Sequence, residues 1–201
     1  MAQRGPIYEK VEYAVARTLA TAVTSFNVEH SQRTARFIGA ALDRFDHRHR
    51  KRAQHNIRLC FPDWSEQQVA RCARRSNQHL IQLAFEALYT PRLLNDDSWP
   101  DHVVMHNLGP AIDVLNADGP VILLTAHLGN WEVLGYLLAL LGYDTDTIAR
   151  PLDNKLINDW LLGIRENRGM RILTKFDATD RMIAVLNRGG NLAFTADQNA
   201  G

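Results

Sequence analysis

A histidine and a glutamate five positions apart are the side chains of this sequence whose types and spacing could do acid–base chemistry. His127 follows the apolar run 121–126, and Glu132 follows a Gly-Asn turn at the start of a second apolar run. An imidazole can take a proton from a hydroxyl while a neighbouring carboxylate fixes its tautomer. We therefore predict a hydrogen bond between His127 and Glu132. The structural alternative is that Glu132 only stabilises the first turn of a helix capped by Asn130.

The second half of the chain alternates short β-rich runs with helical runs. The predicted strands are residues 103–106, 121–126, 145–149, 171–174 and 191–196, and the predicted helices are 111–115, 130–141, 154–168 and 178–186. Glycines precede four of these strands. Glycine adopts the left-handed conformation that often ends a helix with less strain than other residues. Strands that alternate with helices predict an α/β fold with a largely parallel sheet.

The first half of the chain is predicted to be helical. Apolar residues recur at helical spacing from Thr34 to Leu42 and from Val69 to Leu80, and Ser65-Glu-Gln-Gln is a typical helix start. These patterns predict three or four helices in residues 1–92. We expect one domain, 1–201, with this helical part followed by a sheet part at 100–201.

Polar residues follow four of the predicted strands directly. If the strands are parallel, His127, Arg150, Lys175 and the pair Asp197-Gln198 meet at one edge of the sheet. Singly, each of them could be an ordinary turn residue. Together they predict a base, two cations and an acid at a single edge, with the cations placed to hold an anionic substrate or a developing oxyanion.

Several common chemistries lack their motifs in this sequence. It contains no G-x-S-x-G, no G-x-G-x-x-G and no P-loop, which argues against a serine nucleophile and against the usual nucleotide cradles. His127 has no second histidine at metal-ligand spacing, and Cys60 and Cys72 lack the paired spacing of a zinc site. We predict no metal and no cofactor. The remaining mechanism is a histidine that activates a hydroxyl directly.

The net charge of +1 hides an asymmetry between the two halves of the chain. Residues 1–90 carry 14 Lys and Arg against 8 Asp and Glu, whereas residues 91–201 carry 9 against 14. The basic run 44–58 could be a solvated helix face, or it could meet anionic lipid headgroups or an acidic carrier protein. Nucleic acid is not expected, because no aromatic stacking pattern accompanies the charge. The mildly apolar run 13–26, interrupted by Arg17, is too short to cross a membrane.

The residues from Thr125 to Glu132 resemble the H-x4-D/E motif of the lipid A late acyltransferases and the phosphatidylinositol-mannoside acyltransferases, bacterial members of the lysophospholipid acyltransferase-like superfamily. Three more stretches fit the same pattern in the same order: Asn56-Ile-Arg-Leu-Cys-Phe-Pro, Arg150-Pro-Leu-Asp-Asn-Lys with Arg165 and Gly169, and Ala196-Asp197-Gln198. The resemblance covers most of the chain.

This resemblance implies transfer of an acyl group from an acyl carrier protein or coenzyme A thioester to a hydroxyl of a membrane glycolipid, at the cytoplasmic face of the inner membrane. His127 would be the general base and Glu132 its partner. Arg150 would bind an anionic part of the substrate. Asn130 and the D-Q block, Asp197 with Gln198, would also belong to the substrate-binding residues. Asp197 would be a second carboxylate for His127 or would orient Arg150. We interpret Arg165, which lies near Glu166 and Asp159, as structural.

Two other functions remain open at this point. Members of the family usually continue beyond the D-Q block, so the chain is expected to be truncated and could be a catalytically incomplete module that binds lipid or carrier protein. The same site could also act as a lipid esterase, with water replacing the acceptor hydroxyl.

Overall fold

The computed structural model describes residues 5–166, 169–174 and 178–198. Its helices are α1 (Pro6–Thr24), α2 (Val28–Phe45), α3 (His47–Cys60), α4 (Glu66–Leu93), α5 (Gly109–Leu115), α6 (Trp131–Leu140), α7 (Lys155–Glu166) and α8 (Ala178–Asn187). Its strands are β1 (Ile122–Thr125), β2 (Thr145–Ala149), β3 (Met170–Thr174) and β4 (Asn191–Thr195). The chain forms two compact units: a helical unit, Thr18–Tyr89, and a sheet unit, Met1–Arg17 with Thr90–Gly201.

Small residues allow two helices of the helical unit to approach closely. Ser31, Ala35 and Gly39 recur every four residues on α2 and are all buried. A methyl group on Gly39 would lie 2.6 Å from the Cα of Gln78 on α4. The hydroxyl of Tyr89, a buried residue, donates to the carbonyls of Val23 and Phe26 at 2.5 and 2.9 Å. The helical unit is therefore held by close backbone packing and by a buried polar anchor.

The predicted start of a helix at Ser65 is confirmed. The backbone N–H of Gln68 donates to the hydroxyl of Ser65 at 3.3 Å, and the side-chain oxygen of Gln68 accepts from the backbone N–H of Ser65 at 2.8 Å. This reciprocal pair is a capping box, which satisfies backbone donors that a helix start leaves free.

All four strands of the sheet are parallel, in the order β1-β4-β2-β3. This confirms the predicted α/β fold with an N-terminal helical segment. Connections between parallel strands are right-handed, which places α6 and α7 on one face of the sheet and α8 on the other. Leu173, Val185 and Leu192 form a buried cluster between the sheet and α8. On the other face, Gly135 of α6 lies against the methyl end of Met170.

The N-terminal part of α1 is tied to α7 within the sheet unit. Asn154 is buried, and its amide donates to the backbone carbonyl of Glu9 at 3.0 Å and to the carboxylate of Glu12 at 2.7 Å. Farther along α1, the guanidinium of Arg17 lies 5.1 Å from the ring centre of Trp160. Arg17 thus has a cation–π partner instead of simply interrupting an apolar run.

One predicted strand is wrong. Residues 103–106 follow a short 3-10 helix, Trp99–Asp101, and have neither regular secondary structure nor strand pairing among the residues that the structure describes. Val104 in this run is 79% exposed. A β-rich run becomes a strand only when a neighbouring strand takes up its backbone hydrogen bonds, and here none does. Separately, none of the described helices has both the length and the apolar character needed to cross a membrane.

Candidate active site at the carboxyl edge of the sheet

The register of β1 and β4 brings His127 and Asp197 together. Thr125 is paired with Thr195 at the ends of these neighbouring strands, and the backbone N–H of Ala196 continues the ladder to the carbonyl of Thr125 at 3.0 Å. His127 and Asp197 each lie two residues beyond this last pair. Because parallel strands keep a constant offset, the two side chains emerge side by side.

Asp197 binds His127 through both of its carboxylate oxygens. The ring Nδ1 of His127 lies 2.7 Å from Oδ1, and the backbone N–H of His127 donates to Oδ2 at 3.0 Å. An ionised carboxylate can only accept hydrogen bonds, so we assign the ring proton to Nδ1. The lone pair of Nε2 is then free to take a proton from a substrate.

The charge state of Asp197 supports this tautomer. The hydrogen bond from the His127 ring, together with that from its backbone N–H, holds the pKa of Asp197 below its ordinary value of 3.8. The carboxyl group is therefore ionised at neutral pH, and it remains an acceptor when the imidazole becomes charged.

Trp131 fixes the other side of the histidine ring. The two rings make an edge-to-face contact with their centres 4.7 Å apart and an interplanar angle of 74°. The His127 side chain retains 24% of its exposure. The ring is thus held in position by a carboxylate and an indole while part of it stays open to a substrate.

The turn between β1 and α6 is built from the Gly-Asn pair that the sequence places there. Gly129 has a φ of +65°, in the left-handed region that favours glycine. Asn130 caps α6 as predicted, because its side chain accepts from the backbone N–H of Val133 at 3.2 Å. Glu132 consequently lies in the first turn of α6, where a carboxylate is favoured.

The hydrogen bond predicted between His127 and Glu132 is not the one that forms. The partner of Glu132 is Arg165, interpreted from the sequence as structural. Arg165 on α7 donates from Nε and Nη2 to the two carboxylate oxygens of Glu132, at 2.8 and 2.6 Å. The side chains of His127 and Glu132 point in different directions. Glu132 belongs to α6, which lies on the same face as α7, whereas the Nδ1 of His127 points along the sheet edge toward β4.

Two of the remaining predicted site residues, Arg150 and Gln198, follow the carboxyl ends of the strands. Arg150 directly follows β2, and its guanidinium is 4.0 Å from the carboxylate of Asp153, with 66% of the side chain exposed. Gln198 follows Asp197 and is exposed. Lys175 lies outside the described residues. In the described part of the chain, no group of three or more His, Cys, Asp and Glu residues could hold a metal ion.

Sequence reasoning named Asp197 but placed it second to Glu132, and it did not connect Glu132 with Arg165. Both relationships link positions far apart in the chain. The available signal was the equal offset of His127 and Asp197 from the ends of their strands, which becomes decisive only when β1 and β4 are known to be neighbours.

The fold and site place the chain in the class of parallel α/β proteins that carry a carboxylate-bound histidine at the carboxyl edge of the sheet. The family model described as bacterial lipid A biosynthesis acyltransferase matches residues 7–201, and the chain belongs to this family. The family assignment makes it an acyltransferase of the lipid A type. A comparison with curated proteins gives no significant match.

Proposed function

We propose that this chain transfers a fatty acyl group from an acyl carrier protein or coenzyme A thioester to a hydroxyl of a membrane glycolipid, at the cytoplasmic face of the inner membrane. A lipid A-like acceptor is favoured by the family, and a phosphatidylinositol-mannoside-like acceptor is the second choice. The observation that carries the proposal is the pair His127 and Asp197, which leaves Nε2 of the histidine ring available as a base.

In the proposed reaction, Nε2 of His127 takes the proton of the acceptor hydroxyl as the oxygen attacks the thioester carbonyl. The tetrahedral intermediate then collapses, the carbon–sulfur bond breaks, and the imidazolium returns its proton to the leaving thiolate. Asp197 stabilises the imidazolium between these two steps. The products are an ester and a free thiol, without a covalent acyl-enzyme intermediate.

Glu132 and Arg150 take supporting roles in this proposal. Glu132 acts through Arg165, because the ion pair between α6 and α7 positions the helix start that follows His127. Arg150 binds an anionic group of the substrate, which its exposed guanidinium can reach at the same sheet edge. Asn130 holds the turn, and Gln198 adds a polar group next to Asp197.

Transfer of a labelled acyl group tests the proposal directly. The purified chain is incubated with acyl carrier protein or coenzyme A thioesters and with lipid A precursors or phosphatidylinositol mannosides as acceptors. We expect transfer by the wild type, loss of transfer in His127→Ala, and full activity in the control His106→Ala, since His106 is exposed and makes no hydrogen bond or ion pair with the site residues that the structure describes.

The alternatives have distinct outcomes in the same assay. Release of free fatty acid without glycolipid product would identify an esterase. Transfer that survives His127→Ala would exclude the histidine as base. If the wild type binds acyl thioester or acceptor but transfers nothing, the chain is a binding module.

A further inference from the structure

Helix α2 turns its large apolar side chains toward solvent. Its buried face consists of Ser31, Ala35 and Gly39, which are small and lie against α4. The exposed apolar residues of α2 are Phe37 and Phe45, each 76% exposed, with Leu42 at 46% and Ile38 at 36%. A helix that packs against a protein core instead buries its large apolar side chains and exposes its polar ones. Phe37 and Phe45, the most exposed of these apolar residues, therefore indicate that α2 contacts another apolar medium.

Helix α3 follows α2 directly and carries a row of positive charge. Arg48, Lys51, Arg52 and His55 recur at the spacing that places residues on one helix face, and all four are exposed. No residue of α3 is buried. The row continues to Leu59, which is 70% exposed.

Three cations of this row are available for an external partner. Arg48, Lys51 and Arg52 have no side-chain hydrogen bond or ion pair with the residues that the structure describes. The neighbouring cations differ: the guanidinium of Arg50 donates to the backbone carbonyl of Asp43 at 2.9 Å, and Arg58 is paired with Glu66 at 2.6 Å. Some cations of the basic run therefore bind other residues of the fold, whereas those on one face of α3 do not.

We propose that these two helices dock the chain onto an anionic lipid bilayer through the α2–α3 surface, defined by Phe37, Phe45, Arg48, Lys51 and Arg52. The aromatic side chains would enter the boundary between headgroups and acyl chains, and the cations would meet lipid phosphates. Charge complementarity selects an anionic partner. The exposed phenylalanines of α2 favour a bilayer over an acidic protein, which the cations alone would attract.

The proposal adds a partner surface to the proposed function and can be tested apart from it. Binding is measured on vesicles without acceptor glycolipid or acyl donor, so loss of binding and loss of transfer are separate results. His127→Ala is expected to bind vesicles as the wild type does, because His127 is not part of the α2–α3 surface.

Vesicle flotation with the full chain gives the main comparison. We expect binding to vesicles of phosphatidylcholine mixed with phosphatidylglycerol, weaker binding at high salt, and little binding to phosphatidylcholine alone. The triple change Arg48→Gln, Lys51→Gln and Arg52→Gln should weaken binding to the anionic vesicles about 100-fold. The double change Phe37→Ser and Phe45→Ser should also weaken it at low salt, because less apolar area enters the bilayer.

The matched control removes the same charge elsewhere on the helical unit. Arg71, Arg74 and Arg75 on α4 are exposed, and changing all three to Gln should leave vesicle binding within about threefold of the wild type. Circular dichroism and thermal unfolding verify that each variant is folded.

Three results would overturn the proposal. The first is equal loss of binding in the α4 control, which would mean that only net charge matters. The second is undiminished binding by the folded α3 triple variant. The third is a wild type that binds an acidic acyl carrier protein through these same cations but does not float with anionic vesicles.

Discussion

Arg165 and Glu132 form a two-point ion pair between α7 and α6, with Nε to Oε2 at 2.8 Å and Nη2 to Oε1 at 2.6 Å. Both side chains are partly buried, at 29% and 22% exposure. Since α6 begins four residues after His127, this pair holds the segment that carries the proposed base. The glutamate of the H-x4-E pattern is therefore bound to Arg165 and not to the histidine, and in the proposed function it positions the start of α6.

A double-mutant cycle tests this assignment. Glu132→Gln and Arg165→Gln should each lower the unfolding free energy, and their coupling energy should be about 1 kcal/mol, because the pair has two-point geometry but stays partly exposed. Each change should reduce transfer by a similar factor, and the double variant should lose little more than either alone. Chemical denaturation and initial transfer rates are the measurements.

A different kinetic pattern would indicate that Glu132 acts directly on His127. If Glu132→Gln abolishes transfer while Arg165→Gln retains most of it, the glutamate has a role that the ion pair does not explain. The conservative variant Arg165→Lys provides a control, because it keeps the charge but loses the two-point geometry.

Asp197→Asn should reduce the turnover number by about 10²- to 10⁴-fold while the chain stays folded. The amide can donate to Nδ1 and so favour the tautomer in which Nε2 carries the proton, which removes the base. Nitrogen NMR of the His127 ring should report a protonated Nδ1 in the wild type and a shift toward protonated Nε2 in the variant. An unchanged tautomer with full activity would contradict the assigned role of Asp197.

The pKa of Asp197 predicts a pH dependence of stability at the acid end. Because the hydrogen bonds from His127 lower the pKa of this carboxyl below 3.8 in the folded chain, their contribution is fully present above that pH. It is lost as the pH falls through the lowered folded value. Carbon NMR of the Asp197 carboxyl should therefore give a titration midpoint below 3.8.

The variant Asp197→Asn is the control for that titration. The difference in unfolding free energy between wild type and variant should shrink as the pH falls below 3.8. A difference that stays constant to the acid end would show that Asp197 has no lowered pKa.

Three glycine-to-alanine changes should separate close backbone packing from helix propensity. Gly39→Ala should destabilise the chain by about 1–3 kcal/mol, because the new methyl group would meet the Cα of Gln78 at 2.6 Å. Gly135→Ala should cost less, since its 2.5 Å neighbour is the flexible end of Met170.

Gly163 on α7 is the matched control, because an added methyl group has nothing within 4 Å. Gly163→Ala should stabilise the chain by about 0.5–1 kcal/mol through helix propensity alone. Thermal and chemical unfolding of the three variants rank them. A Gly39→Ala variant as stable as Gly163→Ala would contradict the close approach of α2 and α4.

The sequence by itself determined the elements and the chemistry that each of them carries. Short-range patterns were enough to predict the strand before His127, the Asn130 cap and the Ser65 helix start, because caps and turns depend on residues only a few positions apart. Even the gathering of polar residues at one edge followed from the alternation of strands and helices.

Only the tertiary structure decided which of these groups touch. Asp197 reaches His127 because β4 inserts beside β1, and the sheet order is set by packing across the whole unit rather than by any local pattern. The same packing turned Glu132 toward Arg165 and left residues 103–106 without a strand partner. It also left the apolar face of α2 exposed, since periodicity predicts a helix but does not say what will cover it.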